Sequence, residues 1–265
     1  MTTKLKLTHT SIGNIMKICT LASGSSGNSL FVETRRTKIL VDAGISHRQL
    51  TVRLKKLGVQ MSDIDAVLIT HEHTDHVAAI PQIKAPVYVS SSTVSLWKDK
   101  VKDLKEFEPG SQFFLNDALI TPFPVPHDAL DPVGFTIETD HKKLGIVTDI
   151  GSVTALVRER LGGSNALIIE FNYDEGMLLY GSYPWDLKQR IKSRLGHLSN
   201  EDAAELLQNL IHEELRYVIL AHLSEVNNTP KKALESAHSA IIKNESKHIR
   251  LSVAQRNGLG EVAIV

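Results

Sequence analysis

Asp65-Ala66-Val67-Leu68-Ile69-Thr70-His71-Glu72-His73-Thr74-Asp75-His76 is the stretch that decides how this chain is read. Residues 65–70 have the length and the β-branched, apolar make-up of a buried strand. The run ends in six residues that hold three His and one Asp. In α/β folds, sites are built just outside the C-terminal ends of strands. Side chains two apart leave an extended chain on one face, so His71 and His73 suit one shared ion. Asp75 and His76 come at the next turn and suit a second ion nearby. All four are ligands for first-row metals, and none is an ordinary core residue.

Three more ligand-type side chains occupy matching places. His127 follows the strand-like run Ile120–Val125, Asp149 ends the run Leu144–Thr148, and His222 ends the run Tyr217–Ala221. The composition agrees: the 265 residues include twelve His and a single Cys. One thiol, Cys19, excludes a disulfide framework and a Cys-based zinc knuckle, so any metal here is held by imidazole and carboxylate. With 42% apolar and 23% charged residues the chain is neither disordered nor fibrous. Thirty basic residues balance thirty acidic ones, so nucleic acid would have to be caught by a local patch. No window reaches the roughly 18 apolar residues of a membrane span, and a cytoplasmic location with no membrane partner is expected.

Short strand-like runs alternate with helical patterns along the rest of the chain. Strands are expected at Lys17–Leu21, Leu30–Glu33, Lys38–Val41, Val87–Ser90, Val133–Thr139, Ala166–Glu170, Ile249–Val253 and Glu261–Val265, with more around Gln112–Val125. Ser46 and Gln49 form a capping box for a helix with a Leu50, Leu54, Leu57 stripe that Gly58 stops. Later helices are expected at Val153–Leu161, Pro184–Leu195, Asn200–Ile211 and Pro230–Ser246. Residues 1–15, polar and ahead of Met16, are set apart as an extension, and 16–265 read as one layered α/β domain.

With these residues in hand, the chain resembles the metallo-β-lactamase fold superfamily over about residues 16–265. The resemblance implies a four-layer αββα sandwich with two mixed β-sheets and two divalent metal ions. It implies that His71, His73 and His127 hold one ion, that Asp75, His76 and His222 hold the other, and that Asp149 bridges them. Asp42, in Val41-Asp42-Ala43-Gly44, matches the superfamily's first motif, an outer carboxylate that orients a ligand; by itself it reads equally as a turn residue. Two ions about 3.5–4 Å apart activate a shared water and clamp a phosphoryl or acyl centre, which makes hydrolysis the expected chemistry. Zn, Mn and Fe all suit these donors.

Ser199 with Asp202 is a helix N-cap signature that puts His197 just before a helix start, a place that favours anions. The segment resembles the tRNase Z-like branch, where this His donates a proton to the leaving oxygen. His197 and Asp75 are therefore the catalytic candidates. Longer stretches, among them Ser23–Ser29, His127–Phe135, Tyr183–Arg190, Gly196–Asn200 and Ala221–Asn228, are similar to the YycJ/WalJ (VicX) family. That similarity implies a metal-dependent 5′→3′ exonuclease with DNA as substrate and RNA as the variant case. Tyr173 departs from the family, whose members commonly have His there.

Several readings stay open. The Gly/Ser loop 23–29 is either a flexible connection or a phosphate cradle using Ser26 and Asn28. In the helix before His197, Leu187, Ile191 and Leu195 form the inward stripe, and Lys188 and Arg190 face solvent or a DNA backbone. Trp185 is expected to pack rather than to stack on a base. Two other functions fit the same residues: a small-molecule hydrolase of a cyclic phosphodiester or thioester, and a nucleic-acid-binding regulatory module with structural metals.

Overall fold

Alternation along the strands sets the layers. Within 166–169, Ala166 and Ile168 face one way and Leu167 and Ile169 the other, yet all four are buried. A strand buried on both faces belongs between two covering layers. The computed structural model describes residues 15–246 and 248–265; the extension read over 1–15 lies, except for its last residue, outside the described residues.

The first half of the chain forms strands β1 (Lys17–Ala22), β2 (Ser29–Glu33), β3 (Lys38–Val41), β4 (Ala66–Leu68), β5 (Val87–Ser90) and β6 (Leu104–Phe107). The second half forms β7 (Phe113–Leu115), β8 (Ala118–Pro124), β9 (Val133–Glu138), β10 (Lys143–Val147), β11 (Ala166–Glu170), β12 (Tyr217–Ala221) and β13 (Arg250–Val253). A short β14 (Ala263–Ile264) returns to the first sheet beside β1. Two seven-stranded sheets result, ordered β14-β1-β2-β3-β4-β5-β6 and β13-β12-β11-β10-β9-β8-β7. Both are mixed: β1–β3 and β7–β10 pair antiparallel, whereas β3–β6 and β10–β13 run parallel.

Helices α1 (His47–Lys56) and α2 (Thr74–Val77) follow β3 and β4. The rest are α3 (Ala155–Leu161), α4 (Glu175–Tyr180), α5 (Trp185–Lys192), α6 (Asn200–Leu210) and α7 (Pro230–Lys243). One core cluster, with Ile39, Leu68, Phe135 and Ile168, lies between the sheets. A second joins Leu167, Ile169 and Leu220 to α3, α6 and α7, and a third joins Leu40 and Val67 to Leu50 and Leu54 of α1. These three interfaces make the αββα sandwich. Among the described residues, no helix is long and apolar enough to cross a membrane.

The capping box of α1 forms as expected, with Ser46 and Gln49 each accepting the other's backbone N–H, and Gly58 ends the turn at a φ of 78°. Other elements differ from expectation. β4 stops at Leu68 because the Thr70 N–H donates to the Asp42 carboxylate instead of to the ladder. α5 ends at Lys192, three residues early, and none of its residues is buried; Leu195 is half exposed. Of the inward stripe read into this helix, Leu187 and Ile191 are half-buried on the wall of a cleft and Leu195 is exposed. β6 and α4 carry no clear period and were not foreseen.

The site loops are set by one close approach. The backbone of Gly44 lies against that of Asp75, and a Cβ at Gly44 would stand 1.6 Å from the Asp75 carbonyl oxygen. The Ala43 N–H also donates to the His76 carbonyl at 2.7 Å, so the β3 and β4 loops are laced together. Gly44→Ala is expected to cost more than the about 1–3 kcal/mol usual for overpacking, because the clash is with backbone, as read by denaturant unfolding.

Candidate metal centre

Apart from His197, every side chain of the centre stands at or just after the C-terminal end of a strand. Asp42 follows β3, His71 to His76 follow β4, His127 follows β8, Asp149 follows β10, Glu170 ends β11 and His222 follows β12. Five non-glycine residues among those described have positive φ, and three of them are Asp42 (62°), Asp149 (53°) and His222 (54°). A left-handed residue at a strand end turns its side chain back across the sheet edge, at a cost of order 1–3 kcal/mol each that the surrounding packing must offset.

Three compact sets of ligand atoms result: His71, His73 and His127; His71, His76 and Asp149; and Asp149, Glu170, His197 and His222. Asp149 belongs to two of them. Its Oδ2 lies 3.3 Å from His76 Nε2, and its Oδ1 lies 3.4 Å from His222 Nδ1 and 3.9 Å from His127 Nε2. Burial opposes its charge, yet His222, His76 and His71 around it hold the carboxyl well below the usual range. Asp75 joins no compact set. Its Oδ2 stands 3.6 Å from His76 Nε2 on the more exposed side, so Asp75, His76 and His222 do not close up as one trio.

The imidazoles are oriented in one sense. His76 Nδ1 donates to Asp42 Oδ2 at 2.8 Å, His222 Nδ1 to Glu170 Oε1 at 2.7 Å, and His127 Nδ1 to the Gly196 carbonyl at 3.1 Å. Carboxylate and carbonyl oxygens only accept, so each Nδ1 carries a proton and any lone pair the ring offers is on Nε2. His71 Nδ1 lies 3.0 Å from Thr70 Oγ1, which itself donates to Asp42 at 2.9 Å. Asp42 thus orients His76 directly and His71 through Thr70. His71 Nε2, His222 Nε2 and Asp149 Oδ2 are buried without a hydrogen-bond partner. Orphaned lone pairs of this kind, on borderline nitrogen and hard oxygen donors, fit divalent metal. Burial, aided by the neighbouring His76, pushes His71 well below its ordinary pKa, and burial lowers His127, so both are neutral and ready to bind a cation.

His197 sits at the edge of the centre. The Ser199 side chain caps α6 by accepting from the Asp202 N–H at 3.0 Å, as expected. The turn before it is stitched to 172–173: the Asn172 N–H donates to the Leu198 carbonyl and the Asn200 N–H to the Tyr173 carbonyl. His197 Nδ1 donates to Glu170 Oε1 at 2.9 Å, and the ring reaches a cleft of about 190 Å³ also lined by Ser25, Asp128, Tyr183, Leu187 and Arg190. Burial works against its charge, but Glu170, Asp149 and Asp128 override it and hold His197 up at about 9. Glu170 itself, fully buried, is pulled down to about 2 against that burial by His197 and His222. Its other oxygen accepts the N–H groups of Ile150 and Leu198.

Glu170 is the residue that sequence reading missed; its one signal is a carboxylate ending the wholly apolar run Ala166–Ile169. The other candidates fall as follows. Asn28 faces inward: its Oδ1 accepts the Gly24 N–H, and its Nδ2 donates to Asp75 Oδ2 at 3.2 Å and stands 3.0 Å from His76 Nε2. Ser26 is exposed, whereas Ser25 lines the cleft and Ser23 Oγ accepts the His222 N–H at 2.7 Å. Lys188 donates to the Leu179 and Gly181 carbonyls at the end of α4, and Arg190 pairs with Asp128 at 2.6 Å beside the cleft. Tyr173 is buried, and burial with nearby Asp202 and Glu175 raises its phenol beyond the ordinary range. It belongs to none of the ligand sets.

Two measurements follow from this arrangement. Asp42→Asn keeps a partner of similar shape for Thr70 but loses the charge behind His76, and metal affinity is expected to fall about 10–100-fold in a competition titration with a chromogenic chelator. Stripping metal with a chelator is expected to lower Tm, and excess Zn²⁺ or Mn²⁺ to restore it, because a ligand that binds only the folded state stabilises it by mass action.

A family model described as a beta-lactamase superfamily domain matches residues 37–222. Exodeoxyribonuclease YycJ of Bacillus anthracis is 34% identical over 230 residues, which is 83% of this chain and 87% of that protein. Exodeoxyribonuclease WalJ of Streptococcus pneumoniae is 38% identical over 228 residues, 82% of this chain and 85% of its own length. Among solved structures, the metallo-beta-lactamase fold protein YhfI of Bacillus subtilis superposes with a TM-score of 0.74 at 16% identity, covering 96% of this chain and all of its own. The shared fold, and relatives aligned over most of both chains, make this protein a member of the β-lactamase superfamily and, within it, of the YycJ/WalJ family.

Proposed function

We propose that this protein is a metal-dependent phosphodiesterase that degrades DNA as a 5′→3′ exonuclease. The observation that carries the reading is Asp149, a buried carboxylate shared by two ligand sets, with His197 beside it at the wall of an open cleft. The printed names of the two relatives, both exodeoxyribonucleases, support DNA as substrate. The same reading puts the protein in the cytoplasm, with its substrate.

In this mechanism His71, His73 and His127 would hold one ion, and Asp75, His76 and His222, which do not stand together as one trio, would have to draw in around Asp149 to hold a second. Divalent ions of the Zn, Mn or Fe type supply Lewis-acid charge that activates a water and neutralises the phosphodiester. The protein's own groups do the rest. Asp42 and Glu170 fix the His76 and His222 rings by taking their Nδ1 protons. Asp75, on the open side, accepts a hydrogen bond from the attacking water. His197, tied through Nδ1 to Glu170, presents the proton on Nε2 to the leaving oxygen. The Glu170 carboxylate then balances the charge as that proton is given and regained.

General acid catalysis is worth about 10²–10⁴-fold. His197→Ala is expected to lower kcat on DNA within that range while metal content, by elemental analysis, stays at the wild-type level. Matching loss of metal and activity would remove the proton-donor role. On end-labelled oligonucleotides the wild type should release a 5′ label at once and a 3′ label last.

A further inference from the structure

The exposed apolar side chains are not scattered. Leu179 (47% exposed), Tyr180 (87%), Trp185 (62%) and Leu195 (50%) crowd into seventeen residues around α4 and α5. Trp185, expected to pack, stands in solvent. Tyr183 and Leu187, its neighbours two residues either way, line the cleft that holds His197. The segment is held rigidly: Lys188 ties α5 to the last carbonyls of α4, Lys192 pairs with Glu175 at 3.2 Å, and Arg190 pairs with Asp128 next to His127. Residues 175–195 carry four cations, Lys188, Arg190, Lys192 and Arg194, against two carboxylates, Glu175 and Asp186, in a chain whose formal net charge is zero.

We propose that α4 and α5 form a stacking platform for single-stranded DNA, on which Tyr180 and Trp185 hold unpaired bases while the neighbouring cations follow the phosphates into the His197 cleft. Exposed aromatics interleaved with cations, in a segment that also supplies Tyr183 and Leu187 to the wall of the cleft, offer the recognition chemistry of an unpaired strand. A paired duplex hides the faces of its internal bases in the stack, so the platform selects a single-stranded or frayed end. Arg194, with Arg190 and Lys192 exchanging their surface partners Asp128 and Glu175 for phosphates, would supply the cations that counterion release needs along the track. The inference rests on the nuclease reading above and adds the substrate form and the residues that select it.

The test compares KM and kcat of the full-length, metal-loaded wild type, Trp185→Ala, Tyr180→Ala and Trp185→Phe on an oligothymidylate and on a blunt duplex, with bis(p-nitrophenyl) phosphate as a small diester. Phe114→Ala, an equally exposed aromatic outside the cleft, is the control. The expected result is a lower wild-type KM for the single strand. Each Ala variant should raise that KM about tenfold and lower the preference for DNA over the small diester, with Trp185→Phe retaining it and Phe114→Ala showing no change. Unchanged KM in Trp185→Ala and Tyr180→Ala, with DNA still digested, overturns the platform and leaves the nuclease reading standing. A wild type that hydrolyses the small diester but no DNA overturns the nuclease reading itself. A wild-type dimer that Trp185→Ala dissociates in sedimentation, with KM unaltered, assigns the surface to a second copy of the chain instead.

Discussion

A buried carboxylate ringed by imidazoles is the constraint that the rest of this molecule answers. Asp149 is almost wholly removed from water, and its neighbours include His76, His222, His127 and His71. A charge in such a place is tolerated only when it is paired or metal-bound. Imidazole lone pairs are poor partners for it by themselves, and good co-ligands when a cation is shared. Asp42 and Glu170 shape that situation, since each takes the Nδ1 proton of a ring beside Asp149, His76 and His222 in turn. Two carboxylates one layer out therefore set the chemistry of the layer within.

The sandwich is the device that makes this geometry reproducible. Parallel strands β3, β4 and β5 in one sheet and β10, β11 and β12 in the other end on the same rim, so six loops converge there. Three of those loops open with a non-glycine residue in the left-handed region. Cores on both faces of each sheet hold the strands firmly enough to keep that strain in place. The stability of the layers and the strain of the rim are two sides of one arrangement.

Glu170 also links the two kinds of work done at the rim. One oxygen is shared by His222 and His197, a ligand candidate and the proton-donor candidate, and the other takes two backbone N–H groups. Its position couples the orientation of the metal side to that of the cleft side. The ring of His197, more exposed than its partner Glu170, is the point where the buried network meets the cleft.

Local order was plain in the sequence wherever one residue's neighbours along the chain decide its state. The capping box at Ser46, the cap at Ser199, the doubly buried run Ala166–Glu170 and the cluster at 71–76 are all of this kind, because caps, periodicity and ligand spacing are short-range properties. What lies across the fold could not be read that way. That Glu170 sits under both His197 and His222, that Ser23 holds the backbone of His222, and that Asn28 serves Asp75 and His76 depend on loops far apart in sequence meeting at one rim. The orientation of α5 was equally hidden. Its Leu187, Ile191 and Leu195 promised an inward face, but Leu187 and Ile191 are only half-buried on the wall of the cleft, Leu195 is exposed, and Trp185 stands outward. The chain alone determined which side chains were available for metal chemistry; only the tertiary structure decided which carboxylate orients which imidazole, because that choice is made by distances between segments and not along them.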